Sequence, residues 1–267
     1  MLPNFLIIGA PRAGTTWIDK NLRDHPDVHM AATKEVHFFD REYERGLDYY
    51  RSFFDGWKGQ RAVGEASPGY LHGQYSRNDI PALIHRHLPD VRLVACLRNP
   101  VDRLYSEYWY VRAKDPRNAG LSFEEKIAQR PEFIREGFYD EQLERYLRLF
   151  PREQLLVVFY DDLAPDPRGF LRRIHEFIGV DPLFRSGFES VKVNRSAGHK
   201  HNARSKPLWF LSRVCTRLRL HGLADTVQRL NSPPVPVMNP ETRRRLLELY
   251  QPHNARLAQL AGRNLDH

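Results

Sequence analysis

Residues 7–17, Ile-Ile-Gly-Ala-Pro-Arg-Ala-Gly-Thr-Thr-Trp, run from an apolar stretch through a turn bounded by Gly9 and Gly14 into hydroxyl residues. A strand, a tight turn and a helix starting near Thr15 would give this pattern. Backbone N–H groups at such a helix start point at an anion, and the helix dipole favours negative charge there. Loops that hold nucleoside triphosphates read G-x-x-x-x-G-K-[ST], with the Lys on the phosphates and the hydroxyl on Mg²⁺. Here Gly9 and Gly14 keep the spacing, but Thr15 stands where the Lys belongs, and the cation is Arg12 inside the loop. The pattern predicts a phosphate site served by Arg12 and by Ala13, Gly14, Thr15, Thr16 and Trp17. It argues against ATP or GTP as the bound species.

Other residues could carry chemistry beside this loop. Residues i and i+2 of an extended segment point the same way, so Glu35 and His37 are expected to face one pocket while Val36 and Phe38 pack behind. Lys34 precedes them. Glu65 falls at the end of an apolar run, next to Ser67-Pro68. Arg98 ends another, where an unpaired charge would be costly. A bidentate phosphate contact would resolve that cost, and so would a structural carboxylate. Ser106, eight residues on, is about two turns into the next helix. Residues 194–206 form a polar, basic, glycine-bearing stretch in which Arg204 and Lys206 are candidate phosphate contacts and Lys200 competes with them.

Short apolar runs alternate with helical patterns, which predicts parallel strands joined by crossover helices. The strand candidates are residues 5–8, 61–65, 91–97 and 155–159. Helices are expected at about 15–24, 78–88, 101–114, 139–149 and 167–178. Residues 115–137 read as a surface excursion with a short helix, and the tail as two helical stretches, the last beginning after Pro240. In such sheets ligands bind at the C-terminal strand ends. Gly9–Thr16, Glu65–Pro68 and Arg98–Pro100 each follow a strand, so they should converge. The expected fold is α/β, three-layered around a central parallel sheet.

A chain of 267 residues fits one α/β domain, here 1–267, and no linker or internal repeat divides it. The formal charge of +8, carried mostly by arginine, suits acidic glycans or a multiply phosphorylated nucleotide. No nucleic-acid-binding module accompanies it, so nucleic acid is not expected as a partner. The run Arg243-Arg244-Arg245 reads as the solvated face of a packing helix. Cys96 and Cys215 read as separate buried thiols in a reducing compartment. No stretch reaches the roughly 20 apolar residues of a membrane span, and no secretory leader is evident. These features predict a cytoplasmic protein of open oligomeric state.

The loop at 7–17 resembles the 5′-phosphosulfate loop of sulfotransferases that use 3′-phosphoadenosine 5′-phosphosulfate (PAPS). Lys34-Glu35-Val36-His37-Phe38-Phe39-Asp40 resembles the acceptor-side motif of the heparan sulfate branch of that family. Gly64-Glu65-Ala66-Ser67-Pro68-Gly69-Tyr70 resembles that branch's second strand end. Val94-Ala95-Cys96-Leu97-Arg98-Asn99-Pro100, continued through Arg103 to Ser106 and Tyr108, resembles the 3′-phosphate motif. Together these cover most of residues 5–110. The resemblance implies a P-loop-like sulfotransferase fold and transfer of a sulfonate from PAPS to an acceptor hydroxyl, on a saccharide or another small molecule, without a metal.

It further implies that Arg12 stabilises the leaving phosphate, and that Glu35 takes the acceptor's proton with its pKa raised toward working pH. His37 would orient Glu35 or the sulfonate. Arg98 and Ser106 would hold the 3′-phosphate, and Arg204 and Lys206 would close over the nucleotide. Most of the family has Lys where Arg12 stands, and the related strand-end motif has Lys where this chain has Ala66. Lys34, absent from the related motif, is a candidate to compensate, with Glu65 and Ser67 on the acceptor side. A P-loop kinase of a small metabolite and a non-catalytic nucleotide or glycan binder remain the alternatives.

Overall fold

Phe5–Gly9 (β1), Val28–Met30 (β2), Ala62–Ala66 (β3), Arg92–Leu97 (β4) and Leu155–Phe159 (β5) form one sheet, ordered β2-β3-β1-β4-β5. Every neighbouring pair is parallel. This is a computed structural model, and it describes residues 1–73, 78–114, 120–189, 205–217, 223, 226–227, 230–231 and 235–263. Among the described residues the helices are α1 (Thr15–Asp24), α2 (Gly46–Ser52), α3 (Ile80–His87), α4 (Pro100–Lys114), α5 (Phe123–Gln129), α6 (Glu132–Arg135), α7 (Tyr139–Leu147), α8 (Pro167–Ile178), α9 (Lys206–Arg217) and α10 (Pro240–Ala261). None is long and apolar enough to cross a membrane.

The chain divides into two compact units. Met1–Pro100, Arg135–Val193 and Tyr250–His267 make the first, and Val101–Ile134 with Asn194–Leu249 the second. The first holds the sheet. Its strands are buried along most of their length, which is why they read as unbroken apolar runs rather than alternating ones. α8 carries Phe170, Leu171, Ile174, His175 and Ile178 on its buried face, the spacing of an amphipathic helix. Asp166 caps its start by accepting from the Gly169 N–H at 2.9 Å, and Gly179 ends it in the left-handed region at φ 82°. The end of α10 is tied to α7 through Asp140, which has no exposed surface and accepts from Arg256 Nε at 2.6 Å beside His253 Nδ1 at 2.9 Å.

The second unit is helical. Tyr105 and Tyr108 on α4 pack edge-on against Phe123 of α5 at 5.0 and 5.5 Å. Ser122 and Glu125 close a capping box that starts α5. Arg103 is fully buried and donates to the Phe133 carbonyl at 2.7 Å. In the basic run of α10, Arg244 pairs with Glu241 and Glu248 of the same helix, and Arg243 with Asp102 of α4 at 2.7 Å. That pairing agrees with a solvated helix face.

The four expected strands and the helices near 15–24, 78–88, 101–114, 139–149 and 167–178 form within a few residues of their expected ends. β2 has only three residues, too few for a periodic signal. α2 opens on Gly46, a poor helix former, and was not expected. Of the excursion expected at 115–137, residues 115–119 lie outside the described residues. So does 194–204, with Lys200 and Arg204.

Candidate active site

β1 ends at Gly9, and the chain turns through Arg12 and Gly14 into α1. Gly14 sits at φ 88°, and a Cβ there would stand 2.9 Å from the Tyr160 ring, so the turn needs glycine for conformation and for space. α1 has Gly14 at its N-cap, which has no side chain to cap the helix. Its first-turn amides therefore keep the anion-facing character expected of such a start. Ala13 is buried and its carbonyl accepts from Cys96 Sγ at 2.8 Å, which locks the loop to β4. Arg98 leaves the end of β4, with its Nη1 3.3 Å from the Arg12 carbonyl and its guanidinium 5.0 Å from the centre of the Tyr160 ring. Among the described residues no carboxylate pairs with it.

The Trp17 ring is buried in the core and meets Phe170 of α8 edge-on at 6.0 Å, which leaves its backbone as the part expected beside the phosphate. Ser106 lies on α4 and Lys206 opens α9, both in the second unit.

The segment after β3 links the loop to the acceptor-side residues. Ser67 N–H donates to the Ile7 carbonyl at 3.1 Å and Leu71 N–H to the Ile8 carbonyl at 2.8 Å. The Ala66 carbonyl accepts from Glu35 N–H at 2.9 Å. Glu35 is thereby fixed at the C-terminal edge of β3, beside β1.

Glu35 and His37 meet, though not as an extended pair. Among the described residues Arg12, Glu35 and His37 are the only non-glycine residues with positive φ, at 65°, 61° and 56°. Such conformations cost about 1–3 kcal/mol each and persist where the surroundings over-determine them. The chain then enters a π-helical turn, Phe38–Glu42, which folds Asp40 back toward His37. His37 Nδ1 is 2.9 Å from Asp40 Oδ2, and Nε2 is 3.6 Å from Glu35 Oε2. Lys34 Nζ donates to Glu35 Oε1 at 2.5 Å. Gly69 makes room for this array, since a Cβ there would lie 3.2 Å from Asp40 Oδ2. Asp40 was not singled out from sequence. Its signal was present three residues after His37, but only a turn, not the expected extended chain, brings it into contact.

The electrostatics reverse one expectation. The His37 imidazolium 3.6 Å away, then the Lys34 charge, outweigh burial and bring the Glu35 pKa down to about 2, not up toward working pH. The hydrogen bond to Asp40, then the Glu35 carboxylate 3.6 Å away, push His37 up to about 9. The site is thus a carboxylate–imidazolium–carboxylate chain at neutral pH.

The sign for stability follows from linkage. His37 holds its proton more tightly when folded, so its contribution is complete below 6.5 and is lost as pH rises through about 9. Glu35 contributes fully above 4.5 and less as pH falls toward about 2. The melting temperature of wild type is expected to sag between pH 6.5 and 9 relative to His37→Asn, which lacks the titrating ring. Parallel melting curves for the two proteins across that range would assign the loss elsewhere.

Glu65 and Ser67, expected to touch the acceptor, have no exposed surface. They lie behind the Glu35–His37–Asp40 chain, and Tyr50, Tyr70 and Ser67 all hydrogen-bond to the Glu65 carboxylate. The acceptor-contact expectation fails because nothing can reach these atoms without opening the core. Tyr160, missed from sequence, starts the segment after β5; the strand-end rule that picked out the other motifs applies to it equally.

A family model described as a sulfotransferase domain matches residues 2–208. Heparan sulfate glucosamine 3-O-sulfotransferase 3B1 of Homo sapiens is 31% identical over 98% of this chain and 64% of that protein. Heparan sulfate glucosamine 3-O-sulfotransferase 6 of Homo sapiens is 32% identical over 98% of this chain and 72% of that protein. The chain therefore spans less than two thirds of the first relative's length and somewhat more of the second. A crystal structure of a sulfotransferase from Alicyclobacillus acidocaldarius aligns with a TM-score of 0.73 and 29% identity, covering 99% of this chain and 98% of that one.

Proposed function

The chain belongs to the sulfotransferase domain family, and from that premise we propose that it transfers a sulfonate from PAPS to an acceptor hydroxyl. The observation that carries the reading is the Glu35–His37–Asp40 chain anchored beside a phosphate-type loop whose cation is Arg12. A nucleotide binder has no need of a half-exposed carboxylate held in a strained backbone at that edge. A kinase would need the loop lysine that Thr15 replaces.

The residues present fit the donor. The uncapped start of α1 and Arg12 suit its 5′-phosphosulfate, and Arg98, with no carboxylate partner among the described residues, suits its 3′-phosphate. Ser106, Arg204 and Lys206 are assigned to the same donor by the resemblance alone. When bound, PAPS supplies an electrophilic sulfonate that passes as a neutral SO₃ unit. Arg12 and the loop amides oppose the negative charge that grows on the departing phosphate. Glu35 is ionised across the working range and accepts the acceptor hydroxyl's proton, while Asp40 holds the His37 ring so that its other nitrogen faces Glu35. The hydroxyl would take the Oε1 position that Lys34 occupies, which frees the ammonium to stand in for the cation missing at Ala66.

The acceptor is proposed to be a saccharide, in keeping with the heparan sulfate enzymes to which the chain is similar. No metal is required, because a sulfonate carries fewer charged oxygens than a γ-phosphate. Two buried free thiols, Cys96 and Cys215, favour a reducing compartment such as the cytoplasm.

Adenosine 3′,5′-bisphosphate is expected to raise the melting temperature in the presence of a chelator. Saturation at about 100 times its Kd contributes about 2.7 kcal/mol. ATP with Mg²⁺ should do far less, because it offers Arg98 no 3′-phosphate. Equal stabilisation by ATP and none by the bisphosphate would overturn the donor assignment in favour of a kinase.

A further inference from the structure

Glu65 ends β3 with no exposed surface, yet its carboxylate collects three hydroxyl protons. Tyr50 and Tyr70 donate to Oε1 at 2.7 and 2.9 Å, and Ser67 donates to Oε2 at 2.6 Å. An ionised carboxylate can only accept, so it dictates which way all three protons point. Two of the hydroxyl oxygens then use lone pairs on the backbone that follows Glu35. Ser67 Oγ accepts from the His37 N–H at 3.2 Å, and Tyr70 Oη accepts from the Phe38 N–H at 2.9 Å. These amides bracket the point where the chain enters its π-helical turn with His37 at φ 56°.

We propose that Glu65 is the positioning residue of this site: its charge orients the Ser67 and Tyr70 hydroxyls, which hold the His37 and Phe38 amides so that the imidazole stands between Glu35 and Asp40. The proposal rests on the sulfotransferase reading for its catalytic consequence, though not for its structural one. Tyr50 is the internal control, because its hydroxyl donates to Glu65 and, among the described residues, no backbone N–H is bonded to it.

Protonating Glu65 places a donor where only acceptors are tolerated, and one hydroxyl must turn its proton away. The groups facing it are Tyr50 from α2, Ser67 and Tyr70 from the turn after β3, and Asp40 from the π-helical turn. Burial, with help from the Asp40 charge, raises its pKa against the pull of the three hydroxyls. Glu35 stays ionised down to about 2. An acid limb of kcat lying above the ordinary carboxylate range therefore belongs to Glu65.

The test uses the full chain with PAPS and a sulfonatable acceptor, comparing Glu65→Gln, Ser67→Ala and Tyr50→Phe. Glu65→Gln and Ser67→Ala are expected to lower kcat by about 10- to 100-fold, the cost of a displaced catalytic group. Acceptor KM and the Kd of adenosine 3′,5′-bisphosphate should stay within about threefold, and Tyr50→Phe should stay near wild type. The acid limb should be absent from Glu65→Gln. Amide hydrogen exchange supplies a readout without turnover: His37 and Phe38 should exchange faster in both relay variants, while β1 and β4 keep their protection. Unchanged exchange at those two amides overturns the proposal, as does an acid limb that survives in Glu65→Gln. A raised KM with unchanged kcat overturns it in favour of an acceptor contact. If wild type fails to bind the bisphosphate, the sulfotransferase reading falls, and the exchange result still decides whether Glu65 holds the turn. Should Glu65→Gln fail to fold, Ser67→Ala, which removes one buried hydroxyl, carries the same exchange and kcat tests.

Discussion

Turnover of Glu35→Gln is expected to fall by about 10²–10⁴, the usual worth of a positioned general base, with adenosine 3′,5′-bisphosphate bound as in wild type. Gln keeps the size and one acceptor oxygen, so the acceptor can still dock. The substitution removes the charge that receives the proton. It also removes one of the two carboxylates that hold the His37 proton, so the His37 pKa should drop from about 9. Two signatures follow: a deep loss in kcat, and an alkaline transition moved to lower pH. A carboxylate held at about 2 is a weak base in the resting protein. Its use therefore depends on the arriving hydroxyl displacing Lys34 and shutting out water, both of which raise its basicity. Full activity of Glu35→Gln on the true acceptor would remove Glu35 from the chemistry and leave the lower-pH imidazole as the base.

The parts of this site that could be read from sequence depend on local spacing. Gly9, Arg12 and Gly14 sit where a strand-to-helix turn needs them, and the strands flanking them follow from Phe5–Ile8 and Leu93–Leu97. Parallel topology then places Glu65 and Arg98 at the same edge of the sheet without any long-range information. What could not be read depends on partners distant in the chain. The segment at Glu35–Asp40 leaves the extended conformation because hydroxyls of Ser67 and Tyr70, some thirty residues on, claim its amides. That bond pattern also decides that Asp40, ahead of the expected Glu35, is the first partner of His37.

Glu65 was placed at the correct strand end and given the wrong neighbours. A strand buried on both faces offers no pattern to tell an inward carboxylate from an outward one. Trp17 shows the opposite case: its spacing to Ile18 and Leu22 is that of a buried helix face, a pattern the sequence carries locally.

The two arginines at the donor end should separate binding from chemistry. Arg98→Ala is expected to weaken adenosine 3′,5′-bisphosphate by about 2–4 kcal/mol, the range for truncating one partner of a desolvated charge pair. Its guanidinium already lies against Tyr160 and the Arg12 carbonyl, so little ordering is left to be lost on binding. Arg12→Ala should instead lower kcat by about 10²–10³, with a smaller change in nucleotide affinity, because its stronger partner is the charge formed as the phosphate departs. Arg12 also holds φ 65°, and this allows a cleaner variant. Arg12→Gly removes the guanidinium and relieves the left-handed backbone at once. It should melt no lower than Arg12→Ala yet turn over as slowly, which separates loss of charge from loss of loop structure. Arg12→Lys keeps the charge without the planar fork and should recover part of kcat. If Arg12→Gly regained turnover while Arg12→Lys did not, the loop's strain and not the cation would be limiting. A bisphosphate Kd that rises mainly with Arg12 and a kcat that falls mainly with Arg98 would exchange the two roles.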